Sequence, residues 1–328
     1  MTGRTKKPAC HAQREADMNG RTRRVSQRSQ MTQKKRDLGF SLLLLLPAVV
    51  ITTIFILVPV VDSVRESFLD YKMKNIISGR PGEWNHFANY IKLAANAKLG
   101  PAIVHTFLFC LVVVLFQFVF GMALALVLNS DIKGARFLRS IMMMPWCVPT
   151  VISALTWMWL FQPQYGFIRW FTGIVTGGRV TDLALLNNPS TALSGIAIAA
   201  LWKQIPLTTL LLLSGLQNVP DSIEEAAIMD GANAWNRFFK ITLPYMKSVI
   251  KVVLSMAIIE NFKQFPLIWT MTGGGPDNST TTLAILSYRE AFVSNNLGSG
   301  AAVTTVWMLL MIVVVIVFNK LMGDNQTT

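Results

Sequence analysis

Residues 225–244, EAAIMDGANAWNRFFKITLP, form a polar interruption between two long apolar runs. Their local grammar predicts helix, turn, helix. Pro220 closes the preceding segment, Asp221 and Ser222 can each cap a first helix, and Glu224 and Glu225 stand three residues on as reciprocal capping partners. Gly231 follows Ile228 and Met229 where a left-handed residue would end that helix. A second short helix would carry Trp235, Phe238 and Phe239, and Pro244 suits the first turn of the next apolar span. The small pair Ala226-Ala227 reads as part of an exposed face that another protein's surface can approach closely.

Around this interruption the chain is apolar. Of its 328 residues, 52% are hydrophobic and 14% charged, with mean hydropathy +0.45. A soluble protein of this size carries about a quarter charged residues. The composition predicts an all-α polytopic membrane protein. Six apolar stretches, at about 39–61, 102–128, 138–161, 190–215, 247–270 and 300–321, are each long enough to cross about 30 Å of hydrocarbon. The expected organisation is a disordered basic tail over 1–38, a transmembrane domain over 39–322 with its polar loop at 217–246, and a short tail over 323–328.

Lys and Arg set the orientation. With the N-terminus inside, nineteen of the thirty fall in cytosolic segments, nine in outer segments, and Lys203 and Lys263 within spans. Both termini and the 217–246 loop are therefore expected in the cytosol. The net charge of +13 arises largely before Phe40, where a basic run ahead of an apolar span is a topology signal aided by anionic headgroups. It does not require nucleic acid.

Catalytic signals are missing. Cys10, Cys110 and Cys147, like His11, His86 and His105, are scattered without ligand spacing, which predicts neither a metal site nor a disulfide framework. No Gly-Lys dipeptide occurs, so there is no phosphate-binding loop, and the chain is not expected to be an enzyme or to hydrolyse ATP. Ionisable groups at membrane depth mark either a pair or a pathway. Lys203, Glu260 and Lys263 are the candidates, the last two at i,i+3 on one helical face. One reading is an internal ion pair that stabilises the bundle. The other is a solute pathway shared with Trp202, Gln204, Asn261, Gln264 and Trp269, since amides, carboxylates and aromatic faces suit sugars.

The central stretch resembles the EAA loop of permease subunits of binding-protein-dependent ABC importers: E-A-A, three residues, Gly, nine residues, I-x-L-P. Glu225-Ala226-Ala227, Gly231, Ile241, Leu243 and Pro244 fill those slots. Met144-Pro145-Trp146 with Pro149, Trp157 and Tyr165-Gly166 is similar to the third span of carbohydrate-type permeases. So are Gly215-Leu216-Gln217 with Pro220, and Asn261-Phe262, Phe265 and Thr272-Gly273-Gly274-Gly275-Pro276, to later parts of that group. His105-Thr106 stands where Asn-Thr is usual.

This resemblance implies a type I importer permease of the maltose/glycerol-3-phosphate kind, with six transmembrane helices, in a prokaryotic inner membrane. The loop would hold the coupling helix, with Glu225, Ala226, Ala227, Asp230, Gly231, Ala232, Phe238, Ile241, Leu243 and Pro244 facing an ATPase. The implied partners are a second permease, two cytosolic ATPase subunits that carry ATP and Mg, an external solute-binding protein, membrane lipid and a sugar. An importer for a phosphorylated polyol or a polyamine is the alternative. A DNA-binding helix-turn-helix on a membrane-anchored regulator also matches helix, Gly turn, helix, but the second helix offers only Arg237 and Lys240 beside three aromatics. The orientation is tested by fusing reporters after Thr328. A reporter active only in the cytosol is expected to work, and activity of one that matures only outside would reverse the assignment.

Overall fold

The computed structural model describes residues 40–323 apart from 42, 131–132 and 179–183. The basic tail expected over 1–38, and residues 324–328 of the C-terminal tail, lie outside the described residues. The chain divides into two units between Asp62 and Ser63. The described part of the first is helical, residues 40, 41 and 43–62; helix α1, Leu43–Glu66, runs past the division, and its apolar window has no buried share.

In the second unit, strand β1 (Leu69–Asp70), helix α2 (Met73–Ile77), strand β2 (Glu83–Trp84) and helix α3 (Ala88–Ala94) come first. The strands pair antiparallel, Leu69 opposite Trp84. Then follow α4 (Leu99–Asn129), α5 (Ala135–Cys147), α6 (Thr150–Leu160), α7 (Phe167–Val175) and α8 (Ala192–Leu216). Next are α9 (Asp221–Met229), α10 (Ala234–Tyr245), α11 (Lys247–Phe262), α12 (Pro266–Thr272), α13 (Leu283–Tyr288) and α14 (Leu297–Met322). Helices α1, α4, α8 and α14 are long and apolar enough to cross a membrane. The bent pairs α5–α6 and α10–α11, at 92° and 72°, bring the possible crossings among the described residues to six.

Two apolar stretches that read as continuous spans are broken. The run over 138–161 bends because Val148, just before Pro149, adopts an extended backbone (φ −68°, ψ 130°), and Pro149 offers no N–H to continue the helix. The run over 247–270 stops at Phe262 and restarts at Pro266. Pro206, by contrast, sits inside α8 without ending it.

Helices α4 and α8 form the central pair. Toward one end, Phe109 and Val113 of α4 pack with Ile196 and Ala200 of α8 and with Leu267 and Ile268 of α12. Toward the other, Met122 and Ala125 meet Leu212 and Leu216, joined by Met246 and Ile250. Between helices in lipid there is little hydrophobic gain to collect, so close van der Waals fit carries the association. Gly121 allows that fit: a Cβ there would lie 2.9 Å from Thr208 Cγ2.

Gly121→Leu is therefore expected to force α4 and α8 apart and to destabilise the bundle by about 1–3 kcal/mol. A lowered midpoint in thermal unfolding of the detergent-solubilised protein would report it, and an unchanged midpoint would contradict the packing account.

Candidate functional site

Two places gather the polar and aromatic groups that the membrane helices leave over. The first is the protrusion formed by α9 and α10. Helix α9 begins at Asp221 with Pro220 as its N-cap, and no side chain caps it. The capping box expected from Asp221 or Ser222 is not formed, because the helix takes both residues into its first turn. Asp221 and Glu224 remain there as acidic residues that favour the positive end of the helix dipole.

The helix ends as Gly231 takes φ +80°, with Gly231 N donating to Ile228 O at 3.0 Å and Ala232 N to Ala227 O at 2.9 Å. Asn233 then caps α10, its Oδ1 accepting from Asn236 N at 2.8 Å. The signal for that cap in the sequence is Asn233 itself, a preferred N-cap residue just ahead of the second helix.

Ala226 is exposed but Ala227 is buried, so only half of the small pair lies on the open face. The other residues of that face are larger: Met229 is 87% exposed and Trp235 71%. Trp235 packs on Phe239 with ring centroids 4.4 Å apart, and Phe238 meets Phe239 edge-on at 4.9 Å. Over Phe238–Thr242 the helix widens, and Leu243 N reaches back five residues to Phe238 O. The widening precedes Pro244, which has no N–H to maintain the regular ladder. Pro244 thus lies in the last turn of α10 and does not open the apolar helix, which starts at Lys247. Glu225 and Asp230 are exposed, while Ala232, Ile241 and Leu243 are half-buried.

The second place is a cavity of about 560 Å³ between α4, α5–α6, α8, α11 and α12. Its polar lining includes Gln117, Lys203, Gln204, Glu260, Lys263 and Gln264. Gln204 and Asn261 exchange amide hydrogen bonds, Nε2 to Oδ1 at 3.1 Å and Nδ2 to Oε1 at 2.9 Å. Asn261 Nδ2 also lies 3.2 Å from Gln117 Oε1 and 2.9 Å from Ala257 O. Gln117 Nε2 in turn donates to Thr208 Oγ1 at 2.5 Å. Three helices, α4, α8 and α11, are thereby tied through one chain of amides.

Glu260 and Lys263 form an ion pair at 2.9 Å, both side chains more than half exposed. Lys203 is engaged differently. Its Nζ donates to Trp146 O at 3.3 Å and to Val148 O, two carbonyls at the break between α5 and α6. Of the residues expected in the pathway, Trp202, Asn261 and Trp269 are not among those that line the cavity, and Asn261 is buried behind it. Trp202 packs edge-on against Trp157 at 6.0 Å, and Trp269 lies between Phe265 and Tyr288 at 5.8 and 4.6 Å. Trp146, Thr150, Gln117 and Thr208 line the cavity in their place. Gln117 had a readable signal, as the one amide within an apolar run of α4.

The His105-Thr106 departure also has partners. His105 Nδ1 lies 3.2 Å from Thr281 O, and Thr106 Oγ1 accepts from Leu283 N at 2.9 Å. These bonds tie α4 to the loop after α12, where Arg289 donates to Gly273 O and Asn278 Oδ1, each at 2.6 Å.

Comparison with known proteins follows the same outline. Residues 117–324 match the family described as the binding-protein-dependent transport system inner membrane component. The trehalose/maltose transport system permease protein MalF of Thermococcus litoralis is 33% identical, over 89% of this chain and 96% of that protein. The sulfoquinovosyl glycerol transport system permease protein SmoG of Agrobacterium fabrum is 32% identical, over 81% and 86%. The diacetylchitobiose uptake system permease protein DasB of Streptomyces coelicolor is 28% identical, over 80% of each. A chain of a bacterial ABC transporter for the acidic polysaccharide alginate superposes with TM-score 0.73 at 20% identity, covering 89% of this chain and 98% of that one, a likeness of fold.

Asn261→Leu should strand the amides of Gln204 and Gln117, at about 1–3 kcal/mol for each buried group left unpaired. A double-mutant cycle with Gln204→Leu, read by thermal unfolding, is expected to give a clear coupling energy; strict additivity would mean that the two amides do not act together.

Proposed function

The chain belongs to the family of binding-protein-dependent transport system inner membrane components, and from that premise we propose that it is the permease subunit of an ATP-driven sugar importer. The sugar or oligosaccharide would be delivered by an external solute-binding protein. The observation that carries the solute class is kinship along almost the whole length to permeases named for trehalose/maltose, with diacetylchitobiose and sulfoquinovosyl glycerol permeases beside them. The cavity supports the reading: the amides of Gln117, Gln204 and Gln264 line it beside the Glu260–Lys263 pair, and such groups match the alternating donors and acceptors of sugar hydroxyls. A phosphorylated polyol fits less well, because Lys263 is already paired with Glu260 and Lys203 holds backbone carbonyls.

In this reading both termini and the 217–246 loop lie in the cytosol, and ATP and Mg belong to two partner ATPase subunits, with a second permease completing the assembly. The ATPases grip α9 and α10 through the exposed face around Met229, Trp235 and Phe239. Residues Glu225, Ala226, Asp230 and Gly231 hold that face in shape and add its acidic side. Helix α11 then serves as the lever. It leaves α10 at a 72° bend, runs 16 residues, or about 24 Å, and carries Glu260 and Asn261 at its far end. A push at the protrusion therefore reaches the amide cluster through one rigid element. Loaded binding protein would have to favour one of the two resulting states for transport to be coupled to hydrolysis.

Gly231→Val tests the coupling. A Cβ there meets nothing within 4 Å, so the cost is strain at φ +80° and distortion of the α9–α10 turn alone. The reconstituted transporter is expected to assemble and hydrolyse ATP while solute uptake falls at least several-fold. Uptake and hydrolysis both at normal levels would count against the protrusion as a coupling element. Uptake of none of a panel of neutral and acidic oligosaccharides by the unmodified transporter would overturn the solute class.

A further inference from the structure

Residues 67–98, between α1 and α4, fold into a small cap with a polar interior and an apolar outside. Inside, buried Asn89 donates from Nδ2 to Ser67 O and Leu69 O, each at 2.9 Å, and the Ser67 and Tyr90 hydroxyls meet at 2.6 Å. Outside, Trp84 stacks on Phe68 with centroids 5.5 Å apart, and Phe87 meets Phe68 edge-on at 5.4 Å. Ile91 lies one helical turn beyond Phe87 on α3. Trp84, Phe87 and Ile91 are 58%, 62% and 69% exposed. A packed set of rings with this much open surface has a partner to find.

Two observations fix what that partner is. The first is height. The cap runs directly into α4 at Leu99 and is fastened to the start of α14, where Gly298 N donates to Tyr71 O at 2.8 Å and Met73 N to Asn295 O at 3.0 Å. The cap therefore lies at the N-terminal ends of two long apolar helices, which on the orientation proposed above is the outer boundary between hydrocarbon and water. Amphipathic rings collect at that level, and Trp84 Nε1 keeps a polar partner in His86 Nδ1 at 3.1 Å. The second is charge. Residues 67–98 carry Lys72, which pairs with Asp70 at 3.1 Å, and Lys74, Arg80, Lys92 and Lys98 against Glu83. Lys and Arg are normally scarce on the outer side of a membrane, so this excess calls for an anionic counterpart at the surface.

We propose that the cap is an interfacial anchor: Phe68, Trp84, Phe87 and Ile91 seat in the headgroup–acyl boundary of the outer leaflet, and the flanking ammonium and guanidinium groups take up anionic phospholipid phosphates. The apolar seat provides depth and the basic groups provide preference for headgroup charge. The anchor holds the outer ends of α4 and α14 at a fixed level while the inner half of the bundle moves.

A nitroxide at Ile91→Cys tests this in the assembled transporter, in nanodiscs, on a background with Cys10→Ser and Cys147→Ser; buried Cys110 stays. Oxygen access exceeding that of a water-soluble nickel chelate several-fold is the expected result. The label should move deeper when phosphatidylcholine discs are replaced by discs containing phosphatidylglycerol, and Lys92→Glu with Lys98→Glu should abolish that shift. Nickel access dominating would place the patch in water and overturn the proposal. Exclusion of both reagents, with or without solute-binding protein, would mean that a protein covers the patch and would equally overturn it. A shift that survives the charge reversal would overturn the phosphate contacts. A second label at Phe87→Cys repeats the reading from the other end of the patch.

Discussion

A carbonyl freed by a broken helix inside hydrocarbon has no water to turn to, and leaving it unpaired costs several kcal/mol. That constraint governs where this bundle can bend. At the break between α5 and α6, Lys203 of α8 donates to Trp146 O and Val148 O. At the end of α11, Trp307 Nε1 of α14 donates to Phe262 O at 3.2 Å. These two breaks, after α5 and after α11, are thus each secured by a side chain from a neighbouring helix, which makes them part of the tertiary fit. Lys203 shows how one residue serves both ends: its ammonium answers the freed carbonyls, and the same side chain is among those that line the cavity.

The same economy joins the two candidate sites. Asn261 stands on the last turn of α11, beside the break, and its amide links α11 to α8 and α4 through Gln204 and Gln117. The other end of α11 meets α10 at the second bend. A helix with a polar anchor at one end and an exposed aromatic protrusion at the other is suited to carry displacement between them, because neither end can slip without breaking hydrogen bonds or ring contacts. Gly121 adds to this by letting α4 and α8 approach closely enough for Gln117 to reach Thr208.

Much of this was legible in the residues. Apolar run length located the long helices, Gly231 marked a left-handed turn, and the i,i+3 spacing brought Glu260 to Lys263. What sequence left open depended on tertiary context. Pro149 and Pro206 look alike in a string, yet only the first breaks its helix, because Val148 before it is extended whereas α8 continues through Pro206. Ala227 reads like Ala226 and is buried because of the side of α9 it occupies. Trp202 and Trp269 pack against neighbouring rings and are not among the residues that line the cavity. Gln117, a polar group in an apolar run, is the residue whose type alone signals the amide cluster.

The central claim is that the protrusion of α9 and α10 receives force from a nucleotide-driven motor and passes it along α11. Cross-linking from Met229→Cys in an actively transporting assembly tests it most directly. The account predicts a product with an ATPase subunit, formed from the cytosolic side, and loss of uptake once the link is made. A thiol reached only by impermeant reagents from outside, or a link to the ATPase that leaves uptake untouched, would contradict it.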